Sequence, residues 1–308
     1  MKNEFYFPSK DGNTEIHTIE WKPEGEVKAI LQICHGMLEH IDRYDEFARY
    51  LCDHGFYVVG NDHLGHGKSV QCKSDYGFFH EEHGNAYLLG DIHALRQRCM
   101  EKYPGVPYFI LGHSLGTSLL RQYIATFGKG LSGVLLTGTA AEQNPLMLKL
   151  GKRMCQMIAV CKDWHYRSKF IDSLAFGSFN KKCKCPQTRA DWISSDIGKL
   201  CEYLVDPLCS FMLTVNGYHQ IFEGMLILRE KSCYEKVPRK LPILMASGSD
   251  DPVGDYGKGV RKIFEKYKNI GVTDIALKIY EGHRHEILNE KNRRQVYQDI
   301  CEWMQSKI

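Results

Sequence analysis

A serine, an acid and a histidine, set far apart along this 308-residue chain, could together carry out acyl transfer. The serine is Ser114, in Gly112-His113-Ser114-Leu115-Gly116. The residues before it, from Tyr108, read as a short buried strand, and Leu115–Phe127 after it has helical spacing. Strand, G-x-S-x-G and helix in that order present the serine on a strained turn. Glycines stand two residues to either side because side chains there would strike the neighbouring strand and helix. The helix start aims free N–H groups at the same point, where negative charge develops during acyl transfer. A serine hydroxyl is a poor nucleophile at neutral pH and needs a general base, itself held by an acid. An acid appears where the strand Ile243–Ala246 ends, in Ser247-Gly-Ser-Asp-Asp-Pro-Val253. A histidine appears where Ile275–Tyr280 ends, in Glu281-Gly-His-Arg-His285. Within these runs Asp250 competes with Asp251, and His283 with His285.

The elements that must position these groups alternate regularly. Glu4–Pro8 and Glu15–Trp21 read as a hairpin around Lys10-Asp-Gly-Asn13. Val27–Cys34 is a strand, Tyr44–His54 a helix closed by Gly55, and Phe56–Gly60 a buried strand. A glycine-rich loop, Asn61–Ser69, leads on to a helix at Ala86–Lys102 and, past the serine, a strand at Gly133–Thr137. From Asn144 to Arg229 only helices are read. Leu241–Ala246 and Ile275–Tyr280 then resume as strands, with helices at Lys258–Tyr267 and Arg293–Met304. This pattern predicts an α/β fold: a mostly parallel sheet with helices on both faces, built from residues 1–143 and 230–308. Residues 144–229 are expected to form an inserted helical cap.

Composition narrows the class. Hydrophobic residues make up 43% of the chain, enough for one large core, and 40 Lys+Arg against 37 Asp+Glu leave only +3, which argues against a nucleic-acid binder. No opening apolar run resembles a signal peptide, and no stretch approaches the ~18 apolar residues of a membrane span. Twelve cysteines are scattered, several of them (Cys34, Cys99, Cys201) within apolar segments. They read as reduced, core-filling thiols, and the expected location is cytoplasmic. Cys183-Lys-Cys185 lacks the second pair that a metal or redox site needs.

The motifs as a set resemble the α/β-hydrolase superfamily, and within it the monoacylglycerol lipase/lysophospholipase group. The match is carried by His35-Gly-Met-Leu-Glu-His40 with Arg43-Tyr44, Asp62-His-Leu-Gly-His-Gly67 with Ser69, and Gly112–Gly116. It continues through Asp191-Trp192, Asp206-Pro-Leu208, Gly248–Val253 and Tyr280–His285, from about residue 27 to 290. The resemblance implies hydrolysis of carboxylic esters of single-chain lipids, with no metal or organic cofactor. By it, Ser114 matches the nucleophile, His285 the base, and Asp251, just before Pro252, the orienting acid. The backbone N–H groups of Met37 and Leu115 match the oxyanion hole. Glu39 and Arg43 match the family's E-H-x-x-R-Y and are expected to pair or to wall the site. Tyr203 matches a cap tyrosine of the family and is expected either to face the substrate's polar head or to pack in the core.

Residues 144–199 hold eleven Lys/Arg against four Asp, a local +7. That leaves the rest of the chain near −4 and suggests contact with an anionic membrane surface. Leu150, Met154, Met157, Ile158 and Cys161 read as one apolar stripe that either packs on the core or meets acyl chains. The H-x-x-H of His63 and His66 sits in a tight glycine loop, and His80-Glu-Glu-His83 lacks H-E-x-x-H spacing, so no metal site is expected. Three other functions stay open: a broad carboxylesterase, a proline-type aminopeptidase, and a non-catalytic binding protein. The aminopeptidase needs an acidic anchor that the basic cap does not offer, and the binding protein would normally have lost a member of the catalytic set. The oligomeric state is not legible.

Overall fold

The computed structural model describes residues 1–183 and 186–308. Lys184 and Cys185, and with them the C-x-C pair, lie outside the described residues. Eight strands form one sheet: β1 (Lys2–Pro8), β2 (Glu15–Trp21), β3 (Ala29–Cys34), β4 (Phe56–Asn61), β5 (Tyr108–His113), β6 (Gly133–Thr137), β7 (Ile243–Gly248) and β8 (Ile275–Tyr280). Their order is β1-β2-β4-β3-β5-β6-β7-β8. Pairing is antiparallel from β1 through β2 to β4 and parallel in every later pair. The hairpin turn is closed by Asp11, whose Oδ1 accepts the Asn13 and Thr14 amides at 2.8 Å each.

The helices are α1 (Asp45–Cys52), α2 (Gly84–Lys102), α3 (Leu115–Phe127), α4 (Pro145–Cys161), α5 (Lys169–Phe176), α6 (Ile197–Val205), α7 (Val215–Ile227), α8 (Lys231–Glu235), α9 (Lys258–Asn269) and α10 (Arg293–Gln305). Strand residues alternate between the two sheet faces, which builds two cores. On one face Ile110, Val134 and Met245 meet α2, α3 and α9 through Ile92, Leu119 and Ile263. On the other, Phe109, Leu111 and Leu244 meet α1 and α10 through Phe47 and Ile300. The α/β architecture expected from the alternation is therefore present.

Boundaries moved where backbone hydrogen bonding overrules the apolar pattern. β7 starts at Ile243 rather than Leu241, because Pro242 between them has no N–H for the ladder. Tyr44 falls in a short 3₁₀ turn, Ile41–Tyr44, ahead of α1. Cys201, expected inside, is exposed, and the eleven described cysteines are all free thiols.

Between β6 and β7 the chain runs through α4–α8, and α4 lies along α7. The expected single stripe on α4 divides. Leu148 and Cys155 are buried, with Met154 and Ile158 packed against the core. Leu150 and Met157 are exposed at 52% and 55% and Cys161 is exposed too. The inward face is instead set where α7 approaches: a Cβ on Gly151 would lie 2.9 Å from Phe222, and Lys152 pairs with Glu223. Leu146, Met147 and Val160 add to the outer apolar face, and Phe170 and Leu174 of α5 are exposed as well.

Candidate active site

Ser114 sits between β5 and α3 with φ +51° and ψ −114°, a left-handed conformation that costs a non-glycine residue energy. The turn is tied down by Ser114 N donating to Thr137 O at 3.0 Å, and by Thr117 N and Oγ1 donating to Ser114 O at 2.9 and 2.7 Å. The flanking glycines are required by space. A Cβ on Gly112 would stand 2.5 Å from the Gly116 carbonyl, and one on Gly116 would run into the carbonyls of Cys34 and His35.

His285 and Asp251 come from the loops after β8 and β7. Gly248 lets those loops cross, since a Cβ there would collide with the His283 and Arg284 carbonyls. His285 Nδ1 and Asp251 Oδ1 are 3.0 Å apart, and the same oxygen accepts the Val253 amide at 2.9 Å. Oδ1 therefore acts as acceptor and Nδ1 carries the proton, leaving Nε2 free to act as a base. Burial alone would lower the His285 pKa. The charge and hydrogen bond of the Asp251 carboxylate outweigh it and raise the pKa above 6.5. Asp250 is exposed and interacts with Ser249 Oγ at 3.2 Å, and His283 stacks on Tyr280 with ring centroids 5.3 Å apart. The geometry thus pairs Asp251 with His285 and leaves both rivals outside the pair.

Ser114 and His285 line one cavity of about 30 Å³, together with Met37 and His113. Leu115 is the first residue of α3. Met37 lies in a turn in which Leu38 has φ +55°. Glu39 closes that turn: its Oε1 accepts the Gly36 amide and the Tyr44 hydroxyl, the latter at 3.1 Å.

Glu39 and Arg43 do pair, at 3.0 Å, but the stronger partner of Arg43 is Glu286, held by two bonds of 2.7 Å. Tyr203 stacks on this guanidinium at 4.9 Å. Burial and the neighbouring Glu286 charge push the Glu39 carboxyl above its ordinary range, with Arg43 offsetting only part of this. Burial acts the same way on Glu286, but Arg43's two bonds win and hold it low. Sequence reasoning missed Glu286. An acid directly after His285 carries no signal of its own until the fold brings Arg43 to it.

Trp192 was visible only as part of a motif. Its ring lies 5.1 Å from His285, and its carbonyl accepts the His285 amide at 3.3 Å. Ile193 O accepts the Glu286 amide at 2.8 Å, and Arg284 donates to the Asp191 and Ser194 carbonyls. Phe176 of α5 completes an aromatic roof with Trp192 over the cavity.

The glycine loop after β4 packs below. His35 Nε2 accepts the His63 amide at 2.9 Å, and His66 Nδ1 donates to Leu64 O at 3.1 Å. Burial holds these rings neutral, with His63 lowered to about 3 and His66 to about 4. His35 and His113 are lowered by the same cause. Between pH 6.5 and those values the unfolded chain binds more protons than the folded one. Stability therefore falls as pH falls, each ring approaching about 1.4 kcal/mol per pH unit. His17 and His285, whose pKa values are raised, act oppositely: their contribution is present below 6.5 and lost as pH rises through the folded values. With His93, His219 and His283 also lowered by burial, seven depressed rings stand against two raised ones, so the melting temperature should drop clearly from pH 7 to 4.5. Equal melting at both values, read by circular dichroism, would contradict the neutral-histidine assignment. His80 is occupied otherwise, its Nδ1 accepting the Glu82 and His83 amides at 3.2 Å each.

Comparison with known proteins agrees with this architecture. The serine aminopeptidase, S33 family (Hydrolase_4) matches residues 25–292. Human monoglyceride lipase is 27% identical over 93% of this chain and 86% of its own length. The monoacylglycerol lipase of Mycolicibacterium smegmatis is 24% identical over 100% and 98%. A carboxyl esterase from Bacillus coagulans, solved in complex with glycerol, superposes with a TM-score of 0.91 at 30% identity, covering 99% of this chain and 98% of that one. No described helix is long and apolar enough to cross a membrane. The chain belongs to the serine aminopeptidase, S33 family of α/β-hydrolases, and is a hydrolase of the lipase and esterase kind that resembles monoacylglycerol lipase.

Proposed function

We propose that this chain is a serine hydrolase cleaving monoacylglycerols, with lysophospholipids as second substrates. The observation that carries the reading is one cavity shared by Ser114 and His285, with Asp251 bonded behind the histidine. His285 Nε2 takes the Ser114 proton as Oγ attacks the ester carbonyl, and Asp251 stabilises the imidazolium. The N–H groups of Met37 and Leu115 receive the oxyanion. Glycerol leaves with the proton from His285, and water then repeats the sequence on the acyl-enzyme. Glu39, Arg43 and Tyr203, with Glu286, form the polar wall on which a headgroup would rest.

Residues 144–229 act as the cap in this reading. A cavity of about 30 Å³ cannot hold an acyl chain, since ligand pockets run to roughly 300–1,000 Å³. The Phe176–Trp192 roof must therefore open. Exposed Leu146, Met147, Leu150 and Val160, beside exposed Lys149 and Arg153, suit docking on an anionic membrane surface as it does. An aminopeptidase is disfavoured because both acids at the cavity, Glu39 and Glu286, are taken by Arg43.

Turnover of monoolein, diolein, triolein and lysophosphatidylcholine, at low and high salt, tests the substrate. Monoolein should be fastest, because each CH₂ of an extra chain left in water forfeits about 0.8 kcal/mol. Activity on anionic vesicles should fall with salt. Triolein cleaved as fast as monoolein would rule out a single-chain pocket, and salt-independent activity would rule out docking by charge.

A further inference from the structure

Just outside the lining of the catalytic cavity, behind its polar wall, three side chains able to ligate a metal meet across the seam between the core and the helical insertion. His40 follows the turn that carries Met37 and Glu39, and its Nε2 lies 2.8 Å from Asp206 Oδ2. Cys209 is three residues beyond Asp206. The His40 nitrogen, the Asp206 oxygen and the Cys209 sulfur all lie within 4.8 Å of one another. A tight turn sets the last two: Leu208 N donates to Asp206 Oδ1 at 2.8 Å, and Cys209 N to Asp206 O at 3.1 Å. Cys209 is 1% exposed, so its thiol lies buried beside this hydrogen-bonded pair.

We propose that His40, Asp206 and Cys209 form a site for a divalent cation of the zinc class. Imidazole, thiolate and carboxylate are the donors that borderline-soft zinc takes in tetrahedral sites, whereas calcium and magnesium require more oxygen ligands than are present. Burial pushes the Cys209 thiol well above its ordinary pKa, Arg43 offsets part of this, and the carboxyl groups of Asp206, Glu39 and Glu286 add to it, so a cation at this point gains from the nearby carboxyl groups and is what would draw the proton off the sulfur. The spacing is near what coordination needs. Ligand atoms around a metal with bonds of roughly 2.0–2.1 Å stand about 3.3 Å apart, so the His40–Asp206 contact opens by a small rotation while Cys209 closes in. On binding, the Cys209 S–H proton passes to solvent as the sulfur–metal bond forms, and His40 gives up the Nε2 proton it shares with Asp206, keeping its one ring proton on Nδ1, so that the Nε2 lone pair can bind the metal. Water completes the fourth position. An ion held here ties the segment Asp206–Cys209 to the turn bearing Met37, and so restrains the insertion where it meets the core.

The full chain should be titrated with Co²⁺ as a spectroscopic probe and then with Zn²⁺. One Co²⁺ per chain should give a thiolate-to-cobalt absorption in the near ultraviolet, which Zn²⁺ displaces. Cys209→Ser should abolish that band and weaken Zn²⁺ binding at least tenfold, about 1.4 kcal/mol, while leaving metal-free turnover and melting unchanged. His40→Asn should weaken Zn²⁺ comparably, and Cys161→Ser, at an exposed thiol on α4, should change neither readout. A cobalt–thiolate band that survives in Cys209→Ser, or no such band in the unmodified chain, would overturn the site and leave His40 and Asp206 as a hydrogen-bonded pair only.

Discussion

Ser114→Ala should lower kcat by on the order of 10⁴-fold or more, about 5.4 kcal/mol of transition-state stabilisation, and abolish labelling by serine-directed phosphonates. The residue costs the fold energy rather than stabilising it, since its backbone is held at φ +51°. Removing the hydroxyl therefore should not lower the melting temperature, which separates a catalytic loss from unfolding. The residual rate reflects the oxyanion donors and binding alone. Undiminished turnover by a folded Ser114→Ala variant would overturn the assignment of the nucleophile.

Asp251→Asn should cost roughly 10³–10⁴ in kcat, because the amide can present N–H to His285 Nδ1 and so favour the wrong tautomer. A second readout follows from electrostatics. The Asp251 carboxylate is what raises the His285 pKa against its burial. With it neutral, the acid limb of kcat/KM should move to lower pH. Asp250→Asn should do neither, since that side chain is exposed and bonded to Ser249. Equal losses in both variants, or the reverse ranking with both folded, would transfer the orienting role.

The elements and the order of the chemical groups were legible from the chain because both are local. The continuous apolar run from Tyr108 marks a strand with two buried faces, and the glycines at 112 and 116 mark a turn that excludes Cβ atoms. The loops carrying Asp251 and His285 follow strands that hydrophobic runs alone identify. Choosing Asp251 over Asp250 took a family resemblance at first. Neighbours in sequence differ only in which way a loop turns them, and Tyr256 N bonding to Asp251 O at 2.8 Å is part of what fixes that turn.

What sequence could not supply depends on contacts between distant segments. Glu286 becomes meaningful only when residue 43 arrives from 243 positions away. Trp192 reaches His285 because segment 191–194 hydrogen-bonds along the loop at 284–286. The α4 stripe divided because helical periodicity gives the angular spacing of side chains, while the position of α7 selects which angle is inside. His40, Asp206 and Cys209 likewise lie in two segments with no shared motif, and only the closing of the insertion on the core brings an imidazole, a carboxylate and a thiol to one point.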